Sequence, residues 1–166
     1  MNWRSQARGL LVSVVVSALV GAGWFWWVQA HAHGETQLLP PGVSAHTTNG
    51  AQFHLQSLTV LTEATSGSGD VPAPVTGAVF VLARITYDTR QVSDEGYCVF
   101  WLRAGELQWS ADLYSPKSPD KTTCEAGEAG TVVALFQVPR SYLGRVSGVA
   151  VVDPGGPWPV LAGQAT

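Results

Sequence analysis

The sequence contains few charged residues, and its basic residues nowhere form a cluster. Charged residues make up 13% of the 166 positions, and the formal net charge is −3. Seven of the nine basic residues and all twelve acidic ones follow residue 28, so that part carries a formal charge of −5. A net acidic surface without a basic patch argues against nucleic acid and anionic lipid headgroups as ligands.

The sequence also lacks the motifs of the common enzyme classes. It has no Gly-x-Ser-x-Gly, no His-Glu-x-x-His and no glycine-rich phosphate loop ahead of a helix. Its acidic pairs, Asp94 with Glu95 and Glu125 with Glu128, fall in predicted turns, where carboxylates are ordinarily solvated. We therefore expect no catalytic residue and no cofactor.

His31 and His33, followed by Glu35, are candidate ligands for a transition metal. Zinc usually takes three or four protein ligands. The other two histidines, His46 and His54, are distant in sequence, so we expect a solvated segment and no metal site.

Cysteine is scarce, because Cys98 and Cys124 are the only two. In an oxidising compartment such a pair is by default a disulfide. A reactive or metal-bound pair is the alternative, but there is no Cys-x-x-Cys and no histidine lies close to either in sequence. We predict a disulfide, which would contribute about 3.5 kcal/mol in the chain-entropy model.

Charge is absent altogether from residues 9–28, which also lack histidine and proline. At about 1.5 Å per residue, a helix of this length matches the 30 Å core of a lipid bilayer. Arg4 and Arg8 precede the run and Glu35 is the first charge after it, which predicts a cytoplasmic N-terminus and an outer remainder. Aromatic residues at the end of the run are predicted to anchor it at the outer membrane interface: Trp24, Phe25, Trp26 and Trp27.

A cleaved signal peptide is the alternative interpretation of the same segment. Ala30-His31-Ala32 has the small-x-small form of a cleavage site. The apolar core of a signal peptide is usually about 7–15 residues, however, and this run is longer. Four bulky aromatics also lie just before the site, so we expect an uncleaved anchor.

Small residues recur at every fourth position of the apolar run: Gly9, Ser13, Ser17 and Gly21. On a helix they form one ridge, which lets a second membrane helix approach closely and hydrogen-bond to the hydroxyls. Small residues are common in membrane helices, so a ridge without a partner is the alternative. The eight residues before the run are too few to fold, so the expected partner is another integral membrane protein or complex.

Composition divides the chain into five parts. They are a cytoplasmic tail (1–8), a transmembrane helix (9–28), a stalk rich in Pro, Gly, Thr and His (29–50), one extracytoplasmic domain (51–161) and a short tail (162–166).

The outer domain reads as short strands separated by turn residues. The clearest strand is 78–88, where alternate residues from Val79 to Tyr87 are apolar and face one side. The other predicted strands are 53–61 with a bulge near 56–57, a hairpin of 97–103 and 107–113, then 131–138, 146–152 and 158–161. No stretch outside the apolar run has sustained helical periodicity, which predicts an all-β antiparallel sandwich of two sheets.

Three stretches carry a family resemblance: VFVLARITYDTRQVS, CVFWLRAGELQWSA, and AGEAGTVVALFQVP followed by GVAVVD. Through them, residues 51–153 resemble bacterial extracytoplasmic immunoglobulin-like domains of unknown function, which carry a membrane or lipid anchor. The chain departs from that pattern at Ala126, where the family often has proline, and at Asp88 or Thr89, where it often has asparagine. The resemblance implies an immunoglobulin-like sandwich, similar in fold to the secreted immunoprotective antigen of mycobacteria, and no catalytic residues.

Two of the seven tryptophans are candidates for contact with a partner. Trp101 falls on the outward phase of its predicted strand beside Val99, and Trp158 lies in the tail segment Pro-Gly-Gly-Pro-Trp-Pro. Outward aromatics can mark an interaction patch, because a large exposed apolar surface is costly unless covered. Packing under a loop is the alternative for Trp101, and closure of the sandwich is the alternative for Trp158.

The expected function is a non-catalytic accessory or interaction subunit of a cell-envelope membrane protein complex. A binding module for a small solute or an envelope lipid is the alternative. An envelope enzyme is a third possibility, which would need acids or histidines converging in a cleft.

Overall fold

The computed structural model describes residues 15–26, 36–62, 74–92, 98–111, 122–153 and 156–166. The chain separates into two compact units, Met1–Gly34 and Glu35–Thr166. The first unit holds helix α1, residues 15–26, which lies inside the run predicted to cross the membrane. Among the described residues, no helix has the length and apolar character required to cross a bilayer.

The described part of the second unit forms nine strands and one 3₁₀ helix, Arg140–Arg145. The strands are β1 Thr36–Leu38, β2 Ala45–His46, β3 Gln52–Leu61, β4 Ala78–Asp88, β5 Phe100–Ala104, β6 Leu107–Ser110, β7 Ala129–Pro139, β8 Gly148–Val151 and β9 Trp158–Ala162. One sheet has the order β1-β9-β8-β5-β6 and the other the order β2-β3-β4-β7. Neighbouring strands are antiparallel except β1 and β9, which are parallel.

A single apolar core fills the space between the two sheets, which confirms the predicted all-β sandwich. Val81 and Ile85 enter it from β4, and Leu102 and Val149 enter it from the five-stranded sheet. Phe53 meets Phe100 edge to face across the core, with ring centroids 5.9 Å apart. Along β4, β5 and β7 inward side chains alternate with outward ones, as the period of two along a strand requires.

The predicted bulge in β3 is present. The register of β3 against β4 shifts between Leu55 and Ser57. One extra residue at this point turns Leu58 toward the core, where it is buried, after Phe53 has pointed inward in the first half of the strand.

The stretch assigned to a stalk from its composition differs in the structure from residue 36 onward. It contributes β1, which pairs with β9, and β2, which pairs with β3. Strands of three and two residues are too short for a period of two to be visible in sequence. Backbone pairing and the burial of Ala45 hold them in place.

The tail assigned to residues 162–166 also belongs to the fold. Ala162 ends β9, and the chain then passes from one sheet to the other. The Thr166 N–H donates to the Leu58 carbonyl, and the Val60 N–H donates to the Thr166 carbonyl. The tail therefore pairs with the second half of β3 and ties the two sheets together.

Two further links join the sheets. Cys98 and Cys124 form the predicted disulfide, with Cα atoms 5.6 Å apart. Because Cys98 precedes β5 and Cys124 precedes β7, the bridge connects the entry points of strands in different sheets. Asp153, after β8, accepts hydrogen bonds of 2.7 Å from the Thr48 backbone N–H and from the Thr48 hydroxyl.

Candidate interaction faces

A row of apolar residues crosses the outer face of the five-stranded sheet. Trp101 on β5 lies opposite Ala150 on β8, which lies opposite Val160 on β9, which lies opposite Leu38 on β1. Paired residues of neighbouring strands point to the same face of a sheet. None of the four belongs to the cluster between the sheets, which agrees with an outward direction.

Trp101 and Trp158 stack on each other on this face. Their ring centroids are 6.5 Å apart and their planes differ by 29°. Trp158 lies two residues before Val160, so it shares the same side of β9. Although Ala150 and Val160 point away from the core, they are only 0% and 3% exposed, whereas the two tryptophans beside them are half-buried.

Two exposed aliphatic side chains flank the tryptophan pair. Leu38 is 62% exposed and Val99 is 41% exposed. On the same face Arg103 donates a 2.9 Å hydrogen bond to the side-chain oxygen of Gln108. We call the surface of Leu38, Val99, Trp101 and Trp158 the aromatic patch. An apolar centre with a polar rim is the usual anatomy of a protein interface.

The outer face of the four-stranded sheet is polar at the end where β3 begins at Gln52, β4 ends at Asp88 and β7 begins at Ala129. Those three residues form one cross-strand row, and His54, Thr86 and Thr131 form another. Between the rows runs a surface groove of about 490 Å³, whose lining also includes Ser44 and the floor residues Phe53, Tyr87 and Gly130. We call it the polar groove.

An ion pair lies at one wall of the polar groove. The Arg90 guanidinium donates to both carboxylate oxygens of Asp88, and the Arg90 backbone N–H donates to the same carboxylate. These bonds lower the pKa of Asp88 from 3.8 to about 2 and raise the pKa of Arg90. Asp88 is therefore ionised at any physiological pH, with its charge balanced by Arg90.

The other half of the same face is apolar. Phe80 and Leu135 are buried there, and Leu61 and Leu82 pack against them as a second, smaller cluster. The polar groove thus occupies only the end of the sheet that carries Asp88.

Helix α1 carries the described part of the predicted membrane-contact residues. Ser17 and Gly21 lie four residues apart, and nothing lies within 4 Å of the position a Cβ would take at Gly21. Trp24, Phe25 and Trp26 are all exposed. The predictions for Gly9, Ser13, Trp27, His31 and His33 concern positions outside the described residues.

The structure brings together two predicted residues, Trp101 and Trp158, that the sequence places 57 positions apart. Sequence reasoning missed the polar groove. The polar residues Thr86 and Asp88 on the outward side of β4 are visible in the sequence. Their cross-strand neighbours are not, because the pairing of β3 with β4 depends on the register that the bulge sets. The described residues contain no group of three or more His, Cys, Asp or Glu side chains placed to hold a metal ion.

No protein-family model, curated protein or solved structure matches this chain. The resemblance to extracytoplasmic immunoglobulin-like domains therefore remains a prediction from the sequence. Any functional conclusion has to come from the two outer faces and from the N-terminal segment.

Proposed function

We propose that this protein is a single-pass membrane protein whose outer domain is a non-catalytic interaction subunit of a cell-envelope membrane complex. The observation that carries the proposal is the stacked pair of Trp101 and Trp158, flanked by exposed Leu38 and Val99. Exposed apolar surface of this kind is costly in water unless a partner covers it. Tryptophan is also among the residues that supply most of the binding energy in protein interfaces.

The membrane anchor in this proposal is residues 9–28, with the N-terminus in the cytoplasm. Its support is the absence of charge and the large apolar side chains that α1 exposes, among them Leu19 at 68% and Trp26 at 78%. A helix that is apolar on all sides needs lipid or protein around it. The disulfide favours the oxidising, outer side of a membrane for the domain.

The sandwich is proposed to be immunoglobulin-like in topology. The order β3-β4-β7 corresponds to strands A, B and E of that fold, and β9-β8-β5-β6 corresponds to G, F, C and C′. The disulfide differs from the antibody pattern, because it joins the segments before β5 and β7 and not the strands corresponding to B and F.

A second candidate function, the binding of a small solute, has its own support in the polar groove. The groove lies on the opposite sheet from the aromatic patch, so the two functions do not compete for surface. Its hydroxyl, amide and charged side chains favour a polar solute over an envelope lipid.

Site-specific photo-crosslinking in intact membranes tests the proposed function. One variant carries the photoreactive residue at Leu38, beside the aromatic patch. Its matched control carries it at Val75, which is 63% exposed against 62% for Leu38 but precedes β4. We expect irradiation to yield one adduct with a membrane protein from Leu38 and none from Val75.

Adding Gly21→Leu should reduce this adduct, because the larger side chain separates α1 from a partner helix. Equal yields from Leu38 and Val75, or no adduct from either, would contradict an interaction through the patch. An adduct with the mass of two copies of this chain would replace the hetero-complex by a homodimer.

A further inference from the structure

The polar groove has the dimensions and the chemistry of a binding site for an extended ligand. Its two walls are side-chain rows two residues apart along the strands, which corresponds to a separation of about 7 Å. It crosses β3, β4 and β7, whose spacing of about 4.8 Å makes the groove about 10 Å long. Its volume of about 490 Å³ lies in the range of small-molecule sites.

The floor of the groove is backbone rather than side chain. Phe53 and Tyr87 point inward and are buried. At Gly130 an added Cβ would lie 3.3 Å from the Tyr87 hydroxyl, so the tyrosine ring fills the space that a side chain of β7 would take. The strands therefore approach the groove without an obstructing side chain between the two walls.

The walls are lined by groups that donate or accept hydrogen bonds. They comprise three hydroxyls, one amide, one imidazole and one carboxylate, from Ser44, Thr86, Thr131, Gln52, His54 and Asp88. The charge of Asp88 is matched by that of Arg90. Of the wall residues only Ala129 offers an apolar side chain.

A second hollow of about 250 Å³ lies beside the groove, on the other side of the Gln52–Asp88 wall. It is lined by Gly50, Gln52, Asp88, Arg90 and Gln91. Because the two hollows share Gln52 and Asp88, a ligand with repeating polar units can occupy both, whereas a single small solute would fill one.

We infer that the polar groove binds a neutral oligosaccharide. The hydroxyl, amide and imidazole groups of the walls suit a chain of hydroxyl groups. Because Asp88 is paired with Arg90, the groove offers neither an anion nor a cation an uncompensated opposite charge. An extended peptide would instead add along a strand edge and use its backbone, and this groove runs across strands. The inference gives the second candidate function a ligand class and does not depend on the aromatic patch.

Titration of the full-length protein, in a detergent without a sugar headgroup, tests this inference. The probes are chitotetraose and maltotetraose, which are neutral, and tetragalacturonate, which carries carboxylates. We expect saturable binding of at least one neutral probe, with binding of tetragalacturonate at least tenfold weaker. Backbone amide shifts should change at Thr86, Asp88 and Thr131.

Matched valine variants locate the site. Thr86→Val/Thr131→Val removes two hydroxyls at nearly constant volume and should lower the affinity for the neutral probe at least tenfold. Thr59→Val removes an exposed hydroxyl from the same face outside the groove and should leave the affinity unchanged. Circular dichroism of each variant checks the fold.

Three results would overturn the inference: no binding of either neutral probe, equal affinity in the double valine variant, or amide shifts confined to the aromatic patch. The crosslink from Leu38 tests contact with a protein partner independently of sugar binding. Loss of the crosslink with retained sugar binding would therefore contradict the proposed function and leave the oligosaccharide inference standing.

Discussion

The two outer faces of the sandwich follow the same alternation of side chains, but the aromatic patch on one and the polar groove on the other differ in chemistry. On the five-stranded sheet the outward residues of one row are Trp101, Ala150, Val160 and Leu38. On the four-stranded sheet the comparable rows near Asp88 contain hydroxyl, amide and carboxylate groups. The inner faces are alike and explain why the sheets pack, whereas the outer faces are free to differ. Function should therefore be sought on the outer faces.

The connection between the two sheets is expected to show the largest effect when broken. Replacing both Cys98 and Cys124 by alanine removes a bridge with a sequence separation of 26, which costs about 3.5 kcal/mol of unfolding free energy in the chain-entropy model. Thermal unfolding followed by circular dichroism should show a melting temperature lower by about 10 °C.

Reduction of the wild-type protein should shift its melting curve in the same direction. The double alanine variant is the control, because reductant should leave its curve unchanged. A wild-type curve that reductant does not move would contradict the link between the sheets.

The pairing that supports the aromatic patch depends on one glycine. Gly148 has φ of +151°, and a Cβ there would overlap the carbonyl oxygen of Leu161 on β9. Gly148→Ala should separate β8 from β9 and destabilise the domain by about 3 kcal/mol. Gly144 has nothing within 4 Å of its Cβ position and no positive φ, so Gly144→Ala should change stability by less than about 0.5 kcal/mol.

Urea unfolding of the two glycine variants measures this difference. Equal midpoints for Gly148→Ala and Gly144→Ala would mean that β9 tolerates displacement. In that case Ala150 and Val160 would stay buried even when the pairing of β8 with β9 is disturbed.

The smallest expected effect concerns charge on the polar face. The folded-state pKa of Asp88 lies at about 2, below its ordinary 3.8. The stabilising pair with Arg90 is therefore fully present above pH 3.8 and is lost as the pH falls through about 2. Arg90→Gln should move the Asp88 titration midpoint upward toward 3.8, as followed by carboxyl carbon NMR.

The control for this titration lies on the opposite face. Arg103 bonds to Gln108 and Gly105, so Arg103→Gln should leave the Asp88 midpoint unchanged. A midpoint near 3.8 in the wild-type protein would show that Arg90 does not hold the carboxylate and that the groove is not charge-balanced as described.

Much of the fold could be predicted from local patterns. The strand 78–88 was found with its observed bounds, because its alternation is long and ends in polar residues. The bulge in β3 was visible because Phe53 and Leu58 are an odd number of positions apart yet both apolar. The outward direction of Trp101 followed from the phase of its predicted strand, in which Phe100 and Leu102 face inward, and both of those residues are buried in the structure.

The other features of the fold could not be predicted, because they depend on pairing between segments far apart in the sequence. The strands at 36–38 and 45–46 are too short to show any period, and the Thr166 contact with Leu58 spans 108 positions. The stacking of Trp101 on Trp158 depends on the order β9-β8-β5, and the polar groove depends on the register of three strands. Neither arrangement has a local signal, so Trp101 and Trp158 could be predicted only as separate residues and the polar groove was not predicted.

The most direct test of the central claim is the crosslink from Leu38, measured in two variant backgrounds. One background is Trp101→Ala/Trp158→Ala, which removes the stacked rings from the aromatic patch. The other is Thr86→Val/Thr131→Val, which also changes two side chains but lies in the polar groove on the other sheet. The account predicts that the adduct with the membrane partner is lost in the tryptophan variant and retained in the valine variant. Retention of the adduct in the tryptophan variant, with the domain still folded, would contradict it.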